Sequence, residues 1–277
     1  MQARRLRSPI PHSGNMPKLI DLTRPLRIVE KEKFPPPIAP LYRILCPEIE
    51  FIDHAAGAAI MGALFGCHQD ELPDGEGWTE ENLIVSSHLG THVDAPWHYG
   101  SKTKDQPAIT VDQIPLEDLY CQAVVLDLSA KKGSATAITV AELEEACKAI
   151  SYQIKKGDAV LIRTDHDKFD LLDPARYAYP GMTRESTLWL IERGATVGGT
   201  DATGWDRPFH VMIQEYKSTL DKSKIWDAHY AARQARFYIV QQLVNLHLLP
   251  PHSFQVAFFP IPYVGASAAP TRAVAFV

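Results

Sequence analysis

Ser87-His88-Leu89-Gly90-Thr91-His92-Val93-Asp94-Ala95-Pro96-Trp97-His98 places three of the chain's 11 histidines and one aspartate close together, where chance would put fewer than one histidine. The intervals from His88 to His92, Asp94 and His98 are all even, so in an extended chain the four side chains share one side. A helix fails this test. His92 and Asp94 would stand about 200° apart on it, and Gly90 and Pro96 are poor helix-interior residues. The segment therefore reads as a strand end running into a loop, with its polar groups converging on one point. Two neutral imidazoles and a carboxylate form a facial donor set suited to Zn²⁺, Mn²⁺ or Fe²⁺ that leaves positions open for water and substrate. For a single histidine, a surface position or a hydrogen-bonded core position is the better account, but four groups at this spacing are poorly explained that way. Gly90 lets the chain bend closely around an ion, and Pro96 stiffens the approach to His98.

Outward from this segment, apolar and β-branched runs predict strands at Lys18–Leu22, Asn82–Ser87, Gln122–Leu128, Ala159–Thr164, Ala195–Thr200, Arg236–Gln241, Phe254–Phe259 and Arg272–Val277. Thr139 and Glu142 form a capping box ahead of an apolar stripe of Val140, Leu143, Ala146 and Ile150, which predicts a helix. A second helix is expected from Thr183 to Gly194. Each is followed by an apolar strand, so the middle of the chain alternates α and β, and the fold class is mixed α/β (α+β). Pro35, Pro36, Pro37 and Pro40 mark a stiff extended connection within one domain over 18–277. Residues 1–17, basic through Arg4, Arg5 and Arg7, read as a flexible arm.

The chain has 277 residues and a formal charge of −5 with no basic stripe, which argues against a nucleic-acid partner. No apolar run approaches a membrane span, and the start lacks the apolar core of a secretion signal, so a cytoplasmic protein with no membrane partner is expected. Cys46, Cys67, Cys121 and Cys147 are scattered and contain no CxxC pair; they read as reduced and mostly buried.

The segment Ser87–His98 resembles the H-x-G-T-H-x-D-x-P-x-H motif of the cyclase family, which includes bacterial kynurenine formamidase and isatin hydrolase, both metal-dependent amide hydrolases. The likeness extends from Leu19-Ile20-Asp21-Leu22-Thr23 to Gly265-Ala266-Ser267-Ala268-Ala269-Pro270-Thr271-Arg272-Ala273-Val274. It implies a single-domain swivelling β/β/α fold, assembly as a homo-oligomer (dimer or tetramer), metal ligands His88, His92 and Asp94, and His98 as general acid/base. In the formamidase branch a second metal is held by a histidine and, twelve residues later, a bridging glutamate. Here His229 and Gln241 have that spacing. An amide carries no negative charge and bridges two dications poorly, so one metal per subunit is expected. That matches the isatin-hydrolase branch and favours Mn²⁺, with Zn²⁺ as the alternative. His229 is then expected beside the metal or against the substrate, with a plain structural histidine nearly as good an account and a ligand role the least favoured, and Gln241 is a further candidate substrate contact.

Gly199-Thr200-Asp201-Ala202-Thr203-Gly204-Trp205-Asp206-Arg207-Pro208-Phe209 follows a strand, where α/β proteins place ligand loops. It resembles the family's aspartate-rich loop, and Trp205 and Phe209 could wall a flat ring, with core packing nearly as good an account. Trp97 lies between Pro96 and His98, cannot be far from the metal and is a candidate substrate contact, although for it, as for Trp78 and Phe65, packing is the preferred account. Asp165, His166 and Asp167 cannot all aim inward from a strand and read as a solvated loop. A serine hydrolase is disfavoured, because no histidine follows Ser267.

The function expected of this small-molecule enzyme is metal-dependent hydrolysis of an aryl-linked amide, such as the cyclic amide isatin. Alternatives are open-chain hydrolysis of N-formylkynurenine, lactone opening, a metal-dependent ring-forming cyclase or lyase, and a non-enzymatic metal-binding protein.

Overall fold

The computed structural model describes residues 16–36 and 38–277, so most of the expected basic arm lies outside the described residues. In chain order come β1 (Leu19–Asp21), the single turn α1 (Tyr42–Leu45), β2 (Glu48–Ile52), α2 (His54–Phe65) and β3 (Glu80–Ile84). The histidine-rich segment supplies β4 (His92–Asp94) and the single turn α3 (Pro96–Tyr99), followed by the short hairpin β5 (Lys102–Thr103) and β6 (Gln106–Pro107). The middle alternates through β7 (Tyr120–Asp127), β8 (Ala137–Ile138), α4 (Val140–Ala149), β9 (Ala159–Arg163), β10 (Gly181–Met182), α5 (Arg184–Glu192) and β11 (Val197–Thr200). The remainder is α6 (Phe209–Thr219), α7 (Asp227–Ala231), β12 (Tyr238–Gln241), β13 (Phe254–Ala257), β14 (Ala268–Pro270) and β15 (Val274–Phe276).

Nine strands form one sheet in the order β1-β15-β13-β7-β9-β11-β12-β4-β14. Its centre, β7-β9-β11-β12, is parallel, and antiparallel strands flank it on both sides. A bridge between Thr23, just past edge strand β1, and Leu243, just past β12, shows that the sheet curls on itself. Alternation along β7 feeds two cores. Ala123 and Val125 join Val93, Leu161, Val240 and Val256 on one face, while Val124 and Leu126 join Val160, Ile162 and Ile239 on the other. Helices α4 and α5 cover that second face with Leu143, Cys147, Trp189 and Leu190. Each such side chain withdrawn from water contributes about 1.5–3 kcal/mol. The capping boxes open both helices: Thr139 accepts from the Glu142 amide while Glu142 accepts from Thr139, and Thr183 pairs likewise with Ser186.

The mixed α+β class holds, and all eight expected strands have counterparts. One moves: the run expected at Asn82–Ser87 forms Glu80–Ile84, and it pairs with β2 in a separate hairpin instead of joining the main sheet. The extended reading of His88–His98 also needs correction. Only His92–Asp94 is strand; Gly90 turns the chain at φ +62°, and Pro96 opens the turn α3 that carries His98. Convergence comes from a turn, a strand and a helical turn in succession.

The expected packing of Trp97, Trp78 and Phe65 is not seen; all three are exposed. Nor is Asp165-His166-Asp167 a solvated loop, since Asp165 and His166 are buried. Asp201 pins this corner by accepting from the Thr164 and Asp165 amides and the Thr164 hydroxyl. Asp165, Asp167 and Asp201 do approach one another, but Arg163 and Lys168 already neutralise Asp165, and the chain's own amides occupy Asp201. The four cysteines are free, and three are buried. Among the described residues no helix is long and apolar enough to cross a membrane.

His166 contacts Thr164 through Nδ1, and its Nε2 accepts from the Gly133 amide at 3.3 Å. Burial pushes its imidazole below the ordinary histidine pKa, against the raising effect of the Ala178 and Thr164 carbonyls. The unfolded chain therefore binds a proton that the native state refuses, and the stability His166 contributes is full above the ordinary histidine pKa and lost as pH falls through it. Urea titrations at about pH 7.5 and about pH 5 should show a drop in midpoint that is smaller in His166→Gln; an equal drop in both proteins would refute this.

Candidate metal centre

Register in the curled sheet assembles the centre. β4 lies between β12 and β14, with Gln241 directly opposite His92, Ile239 opposite Asp94, and Val240 opposite Val93. Val93 and Val240 enter the first core, so His92, Asp94 and Gln241 project from the other face. On the far side of β4, Ala268 pairs with Asp94, and Ser267 just before it comes within 3.2 Å of His88 Nε2.

Asp94 is 0% exposed. Its Oδ1 lies 2.9 Å from His88 Nδ1 and 3.3 Å from His92 Nε2, without hydrogen-bond geometry to either. His92 Nδ1 faces the Gly90 carbonyl at 2.8 Å, which leaves its Nε2 lone pair free toward Asp94. Nitrogens of His88 and His98 and an oxygen of Asp94 lie within 4.8 Å of one another. The other carboxylate oxygen, Oδ2, accepts from the Gln241 side-chain amide and stands 3.7 Å from His229 Nε2. Two sealed acceptors, His92 Nε2 and Asp94 Oδ1, thus face each other with nothing donating to them. Buried polar atoms left in that state cost about 1–3 kcal/mol each. A divalent cation would satisfy both at once, and the donor types suit one.

Burial alone would raise the Asp94 carboxyl, but the imidazoles of His92, His98, His229 and His88 hold it well below the usual carboxylate range. Burial takes His98 the other way, down to about 3 despite Asp94, so it stands as a neutral proton acceptor. His229 would also be lowered by burial, yet the carboxylates of Asp206 and Asp94 bring it up to about 9. Asp206 is its anchor. One oxygen accepts from the Ala228 amide at 2.7 Å, and the other accepts from the His229 amide and from His229 Nδ1. Trp226 stacks on the His229 ring at 4.4 Å between centroids and meets His98 edge-on at 5.0 Å.

A cavity of about 470 Å³ opens over the centre. His88, His92, His98, His229, Gln241 and Phe209 all line it, Phe209 with 56% exposure. Trp205 reaches the cavity from the core: it is 1% exposed, packs on Phe237, and donates its indole N–H to Thr187 at 3.1 Å. Gly198 makes that possible, because a Cβ there would lie 2.5 Å from the Trp205 ring. Trp97 is 44% exposed and is not among the lining residues.

Sequence reading overlooked three residues. Asp206 stood without a role inside the quoted aspartate loop, and Ser267, inside the closing motif, was weighed only as a nucleophile and set aside. Trp226 precedes His229 by three residues, and nothing in the sequence marked it.

The chain matches the family model described as "Putative cyclase" over residues 20–207. It is 31% identical over 197 residues to a kynurenine formamidase of Maricaulis maris, covering 69% of this chain and 78% of that one. An isatin hydrolase of Roseibium aggregatum is 26% identical over 212 residues, covering 70% and 73%. Among solved structures, isatin hydrolase A from Ralstonia solanacearum superposes with a TM-score of 0.71 at 27% identity, covering 94% of this chain and 92% of that one.

Asp94→Asn keeps the shape of the side chain but removes the charge that four imidazoles surround. Protein purified without chelator and dialysed should carry about one equivalent of divalent metal in the wild type and little in the variant, measured by elemental analysis. A full equivalent in Asp94→Asn would move the centre away from this loop.

Proposed function

We propose that this chain, which belongs to the cyclase family, hydrolyses a carbon–nitrogen bond in a small aryl-linked amide, most directly a cyclic one such as isatin. The observation that carries the reading is the pair of sealed, unpartnered acceptors at His92 and Asp94, with neutral His98 beside them. His88, His92 and Asp94 would hold one divalent ion, Mn²⁺ ahead of Zn²⁺. What that ion supplies when bound is Lewis acidity, which polarises a carbonyl and acidifies a water.

One water is consumed. Its oxygen bonds to the carbonyl carbon, the carbon–nitrogen bond breaks, one proton ends on the leaving nitrogen, and the other is released, leaving a carboxylate and an amine. His98, neutral and in the cavity, takes the first proton and delivers it to the nitrogen. His229, held by Asp206, presents Nε2 to the same space. Gln241 occupies Asp94 Oδ2 with a donor that carries no charge, which supports one ion over two. The relatives named kynurenine formamidase and isatin hydrolase support amide hydrolysis as the reaction class.

N-formylkynurenine hydrolysis and lactone opening use the same groups. A ring-forming cyclase would incorporate no solvent oxygen, so mass spectrometry of product formed in ¹⁸O water separates it from any hydrolysis. Assembly as a homo-oligomer belongs to the same reading. Its support is the outward-facing apolar set on the hairpin and α2, namely Phe51, Leu83, Ile84, Ile60, Leu64 and Phe65. Light scattering should give a dimer or tetramer mass for the wild type, and a monomer would withdraw that part. The catalytic claim rests on His98→Ala, which should retain its metal while turnover of isatin drops about 10²–10⁴-fold; full activity in that variant would end the mechanism.

A further inference from the structure

The cavity is larger than a two-ring substrate requires, and it is poor in charge. A fused bicyclic amide of about eleven non-hydrogen atoms, packed at interior density, fills roughly 170 Å³, well short of the about 470 Å³ present. The surplus is walled by chain far from the metal loop in sequence. Ile38, Leu41, Ile44 and Leu45 line it from the segment around α1, and Met212 lines it from α6. Of these, Ile38, Leu41 and Leu45 belong to a small apolar cluster built on Phe34 and Leu171, separate from both main cores.

Among the described residues, the Asp, Glu, Lys and Arg side chains lining the cavity are Asp206 and Arg207. Asp206 is taken by His229 and the amides of α7. Arg207 is taken by Glu215 and Asp227, and its remaining Nε is sealed from solvent. A substrate ammonium would meet no free carboxylate among the described lining residues, and burying it without a counter-charge costs several kcal/mol. An uncharged apolar group placed against Ile44 would instead gain burial.

We infer that this cavity takes an uncharged amide whose apolar body exceeds a fused two-ring system, and that the wall around Ile44 reads its size. The inference rests on the hydrolase reading above and narrows its substrate class. It sets aside amino-acid-tailed amides such as formylkynurenine.

The test compares isatin, isatins bearing a phenyl group at carbon 5, 6 or 7, and N-formylkynurenine, using wild-type protein and Ile44→Trp. Ile44 is 43% exposed, so the larger ring is tolerated by the fold while it fills the cavity. In the wild type, kcat/KM for the best phenylisatin should exceed that for isatin by about tenfold, and formylkynurenine should fall at least about 100-fold below isatin. Ile44→Trp should lower the phenylisatin value about tenfold and leave isatin within about twofold. Formylkynurenine as the best substrate, or equal losses on small and large isatins, would overturn the inference while leaving hydrolysis intact.

Failure to turn over any of the three would instead count against the hydrolase reading. Binding then decides the size inference independently. Calorimetry should show biphenyl-4-carboxamide binding more tightly than benzamide to the wild type, with the difference lost in Ile44→Trp, and equal affinities would refute it.

Discussion

A carboxylate with no exposure to water, ringed by imidazoles and left with one oxygen unpartnered, is the constraint around which the rest of the molecule is arranged. Removing such an ion from solvent costs several kcal/mol unless something charged and close repays it. The fold meets that cost with contributions from three stretches: the continuous segment from His88 through β4 to His98, helix α7 with His229, and strand β12 with Gln241. The Tyr99 hydroxyl adds a 2.9 Å bond to the Asp94 carbonyl, fixing the backbone as well as the side chain. The two valines that alternate with His92, Asp94 and Gln241, Val93 and Val240, enter the opposite core, so apolar burial on one face holds the polar groups on the other in place.

Much of this was legible in the sequence, because the His88–His98 segment is local. Eleven consecutive residues carry four polar groups, and even spacing with Gly90 and Pro96 limits how they can lie. The apolar strands of the parallel centre were equally plain, since burial on both faces writes a continuous run such as Ala159–Arg163. The capping box at Thr139 announced its helix for the same reason: the information sits within four residues.

What was not legible depended on long-range pairing. The side chain of Asp206 anchors His229 from 23 positions away, and no local pattern encodes that. Trp205 sits in a loop and Trp97 in the helical turn α3, yet the first is sealed in the core, with room made by a glycine on β11, while the second faces solvent. Asp165-His166-Asp167 looked polar enough for solvent. The Thr164 and Asp165 amides instead fold it against Asp201, a residue 36 positions on from Asp165. Helix α2 escaped notice because it is apolar all round and shows no stripe for periodicity to detect.

The position of β4 between β12 and β14 has a consequence for biosynthesis. Its neighbours are encoded about 145 and 175 residues downstream, so an emerging chain carries the histidine motif long before the strands that fix its geometry exist. An ion held there would meet the finished donor geometry only once nearly the entire polypeptide has left the ribosome, and would then act as a late lock on a topology already formed.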